Sequence, residues 1–272
     1  MDGDNVIKII FSDMDGTLLD ENGDLPQGFD EMMVELKRRN VIFAPASGRQ
    51  YFSLLKSFEK YKDEFLFVAE NGTLVMYQGE EIFSSPLTHK EADEVREITK
   101  NLPDILRVYC GKKDAYILES QNIPKYIAEL DKYYTKHVCV NRFEDVEDIP
   151  LKLAYFDITG HSDENIYRHI KHLNGPLQVV KSSDSWVDVM NNTINKGFAI
   201  KKIQEGLDIT PDECAAFGDY LNDVQMLQSV THSFAMSNAH PDLKKFAKYE
   251  TASNTECGVL VGLERLMNEG LI

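Results

Sequence analysis

Cysteine is scarce and scattered: Cys110, Cys139, Cys214 and Cys257 are the only four in 272 residues, and no two form a C-x-x-C pair. A disulfide framework or a zinc site is therefore not expected. The seven histidines also lack ligand spacing, and His169 and His172 read as neighbours on an exposed helix face. Basic residues are in deficit, 29 Lys plus Arg against 45 Asp plus Glu, for a formal net charge of −16. That excludes a nucleic-acid partner held through its phosphates and an anionic membrane surface. No apolar run approaches the roughly 20 residues that span a bilayer. Met1-Asp2-Gly3-Asp4-Asn5 lacks the basic and apolar regions of a secretory signal. There is no fixed-period repeat or low-complexity segment, and no G-x-G-x-x-G follows the first strand pattern, which argues against a dinucleotide binder. The expectation is a cytoplasmic protein, a monomer or homodimer.

What remains is ordinary globular composition, 43% hydrophobic and 27% charged, which argues against long disorder. Val6 to Phe11 is β-branched and short, as a buried parallel strand should be. A helical pattern through Phe29, Met32, Met33 and Leu36 follows. Val41 to Ala44 is a second strand, Tyr51 to Phe58 a helix, and Phe65 to Ala69 a third strand. Such alternation predicts a doubly wound, Rossmann-like α/β sheet. Around Gln78-Gly79 a hairpin is expected.

From about Pro86 to Asp184 the pattern changes to helices mixed with half-buried strands. It includes an antiparallel pair around Gly111 to Asp114, so an inserted α+β domain is predicted. Parallel grammar resumes with a helix from Lys196 to Gln204, closed by Gly206 as a C-cap. A strand at Cys214 to Phe217, a helix at Asp223 to Gln228, a strand at His232 to Met236 and a helix at Gly258 to Met267 follow. The predicted division is a core of residues 1–82 and 187–272, interrupted by a domain at 83–186.

Oxygen-bearing side chains gather at the predicted carboxyl ends of the core strands, where open α/β sheets bind ligands. Asp13-Met14-Asp15-Gly16-Thr17-Leu18-Leu19 follows the first strand. Taken alone, Asp-x-Asp is as often a solvated turn. Ser47-Gly48-Arg49 follows the second strand and offers a hydroxyl and backbone N–H groups to an anion, although it also reads as a plain N-cap. Lys196-Gly197 places a cation in a first helical turn, against the macrodipole, which a bound phosphate would explain, although it also reads as a solvent-facing lysine. Gly218-Asp219-Tyr220-Leu221-Asn222-Asp223 adds further carboxylates. Clustered carboxylates repel unless a cation lies between them, and an oxygen-only donor set with water favours Mg²⁺.

These four motifs, in this order, resemble those of the haloacid dehalogenase superfamily. The large insert and Glu70-Asn71-Gly72 resemble the Cof-type branch with an α/β cap, subclass IIB. Tyr220-Leu221 departs from the Asn-Glu that such members often carry, at positions outside the chemistry. The resemblance implies a phosphatase acting on a small phosphorylated metabolite, modally a sugar phosphate, with the insert choosing the leaving group. It implies Asp13 as nucleophile, forming an aspartyl-phosphate, and Asp15 as general acid and base. Mg²⁺ would be held by Asp13, the backbone carbonyl of Asp15 and Asp219, with Asp223 supporting the shell. Ser47, Gly48, Lys196 and Asn222 would hold the phosphate. Two other readings share parts of this pattern: a phosphomutase of the phosphomannomutase kind, and a catalytically idle phosphometabolite sensor.

Overall fold

The protein is described by a computed structural model over residues 6–272, so the reading of Met1 to Asn5 lies outside the described residues. The chain divides into two units, residues 1–48, 58–83 and 195–272 in one, 49–57 and 84–194 in the other.

The first unit is built on five parallel strands in the order Tyr249–Thr251, His232–Met236, Cys214–Gly218, Ile9–Ser12 and Ile42–Pro45. Ile9 is in register with Cys214 on one side and Ile42 on the other. Ile9–Ser12 is buried throughout, as the apolar run requires of a strand covered on both faces. Helix Phe29–Arg38 buries Phe29, Met33 and Leu36 on one stripe, the 3.6-residue period of an amphipathic helix. There Phe65 stacks on Tyr61 at 4.6 Å and packs against Phe43 at 5.1 Å. Leu66–Ala69 pairs antiparallel with Leu74–Tyr77. Between Leu74–Tyr77 and Glu80–Ser84, Gln78 and Gly79 have φ of 53° and 79°, the two positive values of the hairpin turn whose twist matches its strands.

The second unit carries a six-stranded sheet in the order Leu177–Lys181, Trp186–Asn191, Pro150–Asp157, Ile105–Gly111, Ala115–Leu118 and His137–Val140. Its pairs are antiparallel except the last, which is parallel. Both faces are apolar. Tyr109, Leu153, Tyr155 and Val187 pack with Val95 and Ile166 on one, and Val108, Ala154, Phe156 and Trp186 pack with Tyr126 and Leu130 on the other.

Several boundaries differ from the sequence reading. The division expected at residue 186 falls at the start of Trp186–Asn191, whose ladder partners lie in the second unit, and the first unit resumes at Asn195. Tyr51–Ser57, expected in the parallel domain, groups with the second unit. Helix Lys196–Leu207 runs through Gly206 and is ended by Asp208, whose φ is 52°. Aspartate tolerates this left-handed cap better than most residues. The strand Tyr249–Thr251 is three residues long, too short to show a period. Among the described residues, no helix is long and apolar enough to cross a membrane.

Candidate active site

The first strand ends by delivering Asp13, whose backbone N–H donates to the carbonyl of Phe217 at 3.0 Å. The chain then turns sharply: the N–H groups of Thr17, Leu18 and Leu19 converge on the Met14 carbonyl. Asp13 is buried and Asp15, two residues on, is exposed. Gly16, at φ 81°, makes the turn possible. A β-carbon there would also overlap the carboxylate of Asp219, so Gly16 is required twice, for conformation and for close approach. Thr17 Oγ1 donates to Asp219 Oδ1 at 2.8 Å. Asn238 Nδ2 donates to the Gly16 carbonyl at 2.8 Å, locking the loop.

Asp219 and Asp223 follow the strand Cys214–Gly218. Asp223 lies in a 3₁₀ turn, Leu221–Asp223, and is fully buried. Its Oδ2 accepts from the N–H groups of Asp219 (3.1 Å) and Tyr220 (3.3 Å), and its Oδ1 accepts from Lys196 Nζ at 2.7 Å. Lys196 also donates to Asp13 Oδ1. Lys196 opens its helix, behind Asn195, whose side chain caps the Phe198 N–H at 2.8 Å. One ammonium, 1% exposed, thus ties together the ends of two strands.

The electrostatics follow from burial. Asp13's carboxyl is raised well above its ordinary value, chiefly by desolvation and then by Asp223, with Lys196 opposing. Desolvation and Asp223 push Asp219 up to about 6, against the hydrogen bond from Thr17. Desolvation alone would lower Lys196, but Asp13 and Asp223 outweigh it and raise it. Oxygens of Asp13, Asp219 and Asp223 all lie within 4.8 Å of one another. Three carboxylates against one lysine leave an excess of negative charge that a hard cation would neutralise. The donor set fits Mg²⁺, being all oxygen. Asp223 spends its carboxylate on Lys196 and on its own loop, so a cation here would be held directly by Asp13 and Asp219.

Ser47 is buried; its N–H donates to the Val68 carbonyl at 2.9 Å, and its carbonyl accepts from Asn71 N–H at 2.9 Å. A β-carbon on Gly48 would come within 3.1 Å of the Asn71 side chain. Glu70, Asn71 and Gly72 all have positive φ, 51°, 57° and 96°, a left-handed run that aims Asn71 at the second motif. Such strain persists where surrounding structure fixes it. Asn222 is exposed on the 3₁₀ turn, directly before the buried Asp223. The sequence reading did not single out Thr17, Asn238 or His240, whose N–H donates to the Asp219 carbonyl at 2.8 Å. Asn238 had a signal, since it lies just beyond the carboxyl end of His232–Met236.

This site and fold are those of the haloacid dehalogenase-like hydrolases, and the chain belongs to that family, whose model matches residues 10–263. Within the family it is a Cof-type phosphatase, a hydrolase of phosphoric monoesters. It is 30% identical to the 5-amino-6-(5-phospho-D-ribitylamino)uracil phosphatase of Escherichia coli, covering 96% of each chain. A solved Streptococcus mutans protein is 25% identical, with a TM-score of 0.85 and coverage of 96% of this chain and 99% of that one. A solved subclass IIB sugar phosphatase shares the fold at 20% identity, with a TM-score of 0.78 over 97% of this chain and all of the other (100%).

Proposed function

We propose that this is a cytoplasmic, Mg²⁺-dependent phosphatase that hydrolyses a small sugar or polyol phosphate through an aspartyl-phosphate on Asp13. The observation that carries it is Asp13 held by Lys196 beside Asp219 at the sheet's carboxyl edge, with Asp15 exposed two residues on. The E. coli relative is named for a 5-phospho-D-ribityl compound, which supports a hydroxylated leaving group.

An oxygen of Asp13 attacks phosphorus, forming the acyl-phosphate bond as the phosphorus–oxygen bond to the alcohol breaks. Asp15 gives the departing oxygen a proton, then takes one from the water that attacks the same phosphorus. The Asp13–phosphorus bond breaks, inorganic phosphate leaves, and both carboxyl groups return to their starting states. Ser47, Gly48, Lys196 and Asn222 hold the non-bridging oxygens, on which transition-state charge spreads. Asp13, the Asp15 carbonyl and Asp219 would hold Mg²⁺, which would supply charge neutralisation for the attack. Asp223 fixes Lys196 and the Asp219 loop from behind. The second unit, taken as residues 83–186 in the sequence reading, serves as the substrate-selecting cap.

The test is turnover of an accepted sugar phosphate in ¹⁸O-water. Inorganic phosphate carrying one heavy oxygen, with free sugar as co-product, is the expected result. An isomeric sugar phosphate without heavy oxygen would instead establish the phosphomutase.

A further inference from the structure

The charge of the chain is divided unevenly between its two units. The first holds 13 Lys plus Arg against 27 Asp plus Glu, the second 16 against 18. Repulsion between two copies is therefore concentrated in the first unit, and the nearly neutral second unit is where they meet at least electrostatic cost. One face of its sheet is covered by helix His89–Thr99 and by residues 163–173, from which Ala92, Val95, Ile166 and Ile170 join a single apolar cluster. Where these two segments meet, the surface carries a groove of about 760 Å³, lined by Lys90, Asp93, Glu94, Glu97, Ile98 and Leu173.

Two features set this groove apart from a solvated helix face. Its lining is apolar along one line: Ile98 is 38% exposed, and Leu173 is only partly covered by the cluster it packs against. Its two margins also carry opposite charge. Asp93, Glu94 and Glu97 are exposed on the helix, and their pairs with Arg96, Lys90 and Lys100 of the same helix are surface contacts of little energy. On the other margin, helix Arg168–Ile170 and the 3₁₀ turn Lys171–Leu173 expose Arg168, Lys171 and His172. Arg168 Nε donates to His169 Nε2 at 3.1 Å, and among the described residues neither Arg168 nor Lys171 has a carboxylate partner.

A surface that is acidic on one side of an apolar line and basic on the other is complementary to itself. A two-fold axis along that line lays the acidic margin of each copy on the basic margin of the other, with Ile98 and Leu173 between them, which is the isologous arrangement of a closed dimer. We propose that this groove is a homodimer interface, in which Glu94 and Glu97 of each copy face Arg168 and Lys171 of the second copy. The apolar line is short, so the dimer is weak and forms in proportion to concentration. Charge sets its register and makes it sensitive to salt.

The test is sedimentation velocity on the full-length protein from about 1 to 200 μM, a range that brackets a small interface. The expected result is a monomer–dimer equilibrium that weakens between about 50 and 500 mM NaCl. Glu94→Lys/Glu97→Lys and Arg168→Glu/Lys171→Glu should each weaken self-association at least about tenfold, because like charges then face one another. Mixed in equal amounts, the two double variants should form a heterodimer within about threefold of the wild-type affinity, and the chain carrying all four reversals should self-associate again. All four side chains are exposed, so each variant should melt within about 4 °C of the wild type. A monomer at every concentration would overturn the proposal and leave the groove to a different partner. A dimer that both reversals leave intact would overturn it as well, and so would folded double variants that fail to pair with each other.

Discussion

The Lys196 ammonium lies 2.7 Å from Oδ1 of Asp223, with Lys196 1% exposed and Asp223 fully buried. The same ammonium donates to Asp13, so a single cation compensates carboxylates brought by two different strands. Its removal acts on the fold and on the chemistry together.

Lys196→Ala is therefore expected to lower turnover by about 10²-fold or more, as for a lost charge-stabilising donor. It should also destabilise the protein by about 3–5 kcal/mol, because two buried carboxylates lose their partner. Phosphate release and urea unfolding check both. Unchanged values in both assays would remove Lys196 from the site.

Asp13→Asn separates the two effects. The amide keeps the size and shape of the carboxylate, and its oxygen can still accept from Lys196, so the fold should persist while the nucleophile is gone. Turnover should drop below about a hundredth of wild type, with an unchanged circular dichroism spectrum. Retention of activity above that level would rule out the covalent route.

Gly16→Ala tests the approach of the first loop to Asp219. The added methyl overlaps the Asp219 carboxylate and meets a positive φ, so either the loop or the carboxylate must shift. Turnover is expected to fall by at least about tenfold, since displacements of about an ångström at an active site have such effects. The melting temperature should fall as well. A silent substitution would mean that the two groups do not need this proximity.

Metal dependence provides an independent check. Excess EDTA should abolish activity, and MgCl₂ should restore it. Asp219→Ala should raise the Mg²⁺ concentration needed for half-activity steeply, because the all-oxygen cluster loses one of the carboxylates that would hold the cation. Full activity in EDTA is the outcome that would exclude a hard-cation site.

Phe65→Ala addresses the first unit's core. Phe65 is 3% exposed and packs against Phe29, Phe43, Phe58, Tyr61 and Phe67. A loss of about 3–5 kcal/mol is expected from the removed ring and its cavity, read from the urea midpoint. A loss below about 1 kcal/mol would mean that the cluster collapses to fill the gap.

The parallel core was legible because buried strands such as Ile9–Ser12 and Cys214–Gly218 are short uninterrupted apolar runs, and because motif residues sit directly after them. Other features were not. Trp186–Asn191 reads Trp-Val-Asp-Val-Met-Asn, neither an alternating pattern nor an unbroken apolar run, and only its partners show to which sheet it belongs. Gly206 resembled a cap because glycine so often ends helices, whereas Asp208 takes the left-handed position here. Spacing alone told neither that Lys196 would be shared between Asp13 and Asp223 nor that Asn238 would hold Gly16. The Lys196–Asp13 and Asn238–Gly16 contacts join positions 183 and 222 residues apart.

The register that places Ile9 between Ile42 and Cys214 also sets an order of assembly. On the ribosome, residues 42–45 emerge soon after residues 9–12, but the partners on the other side, Cys214 to Phe217, come near the end. Until then that strand presents one row of bare amides and carbonyls, an edge that invites pairing with other chains. The second unit is translated in the interval. If it folds as it emerges, it draws the two halves of the sheet together and shortens the loop that must close. A nascent chain stopped before residue 219 lacks the second carboxylate pair, so the finished site is withheld until most of the protein has been made.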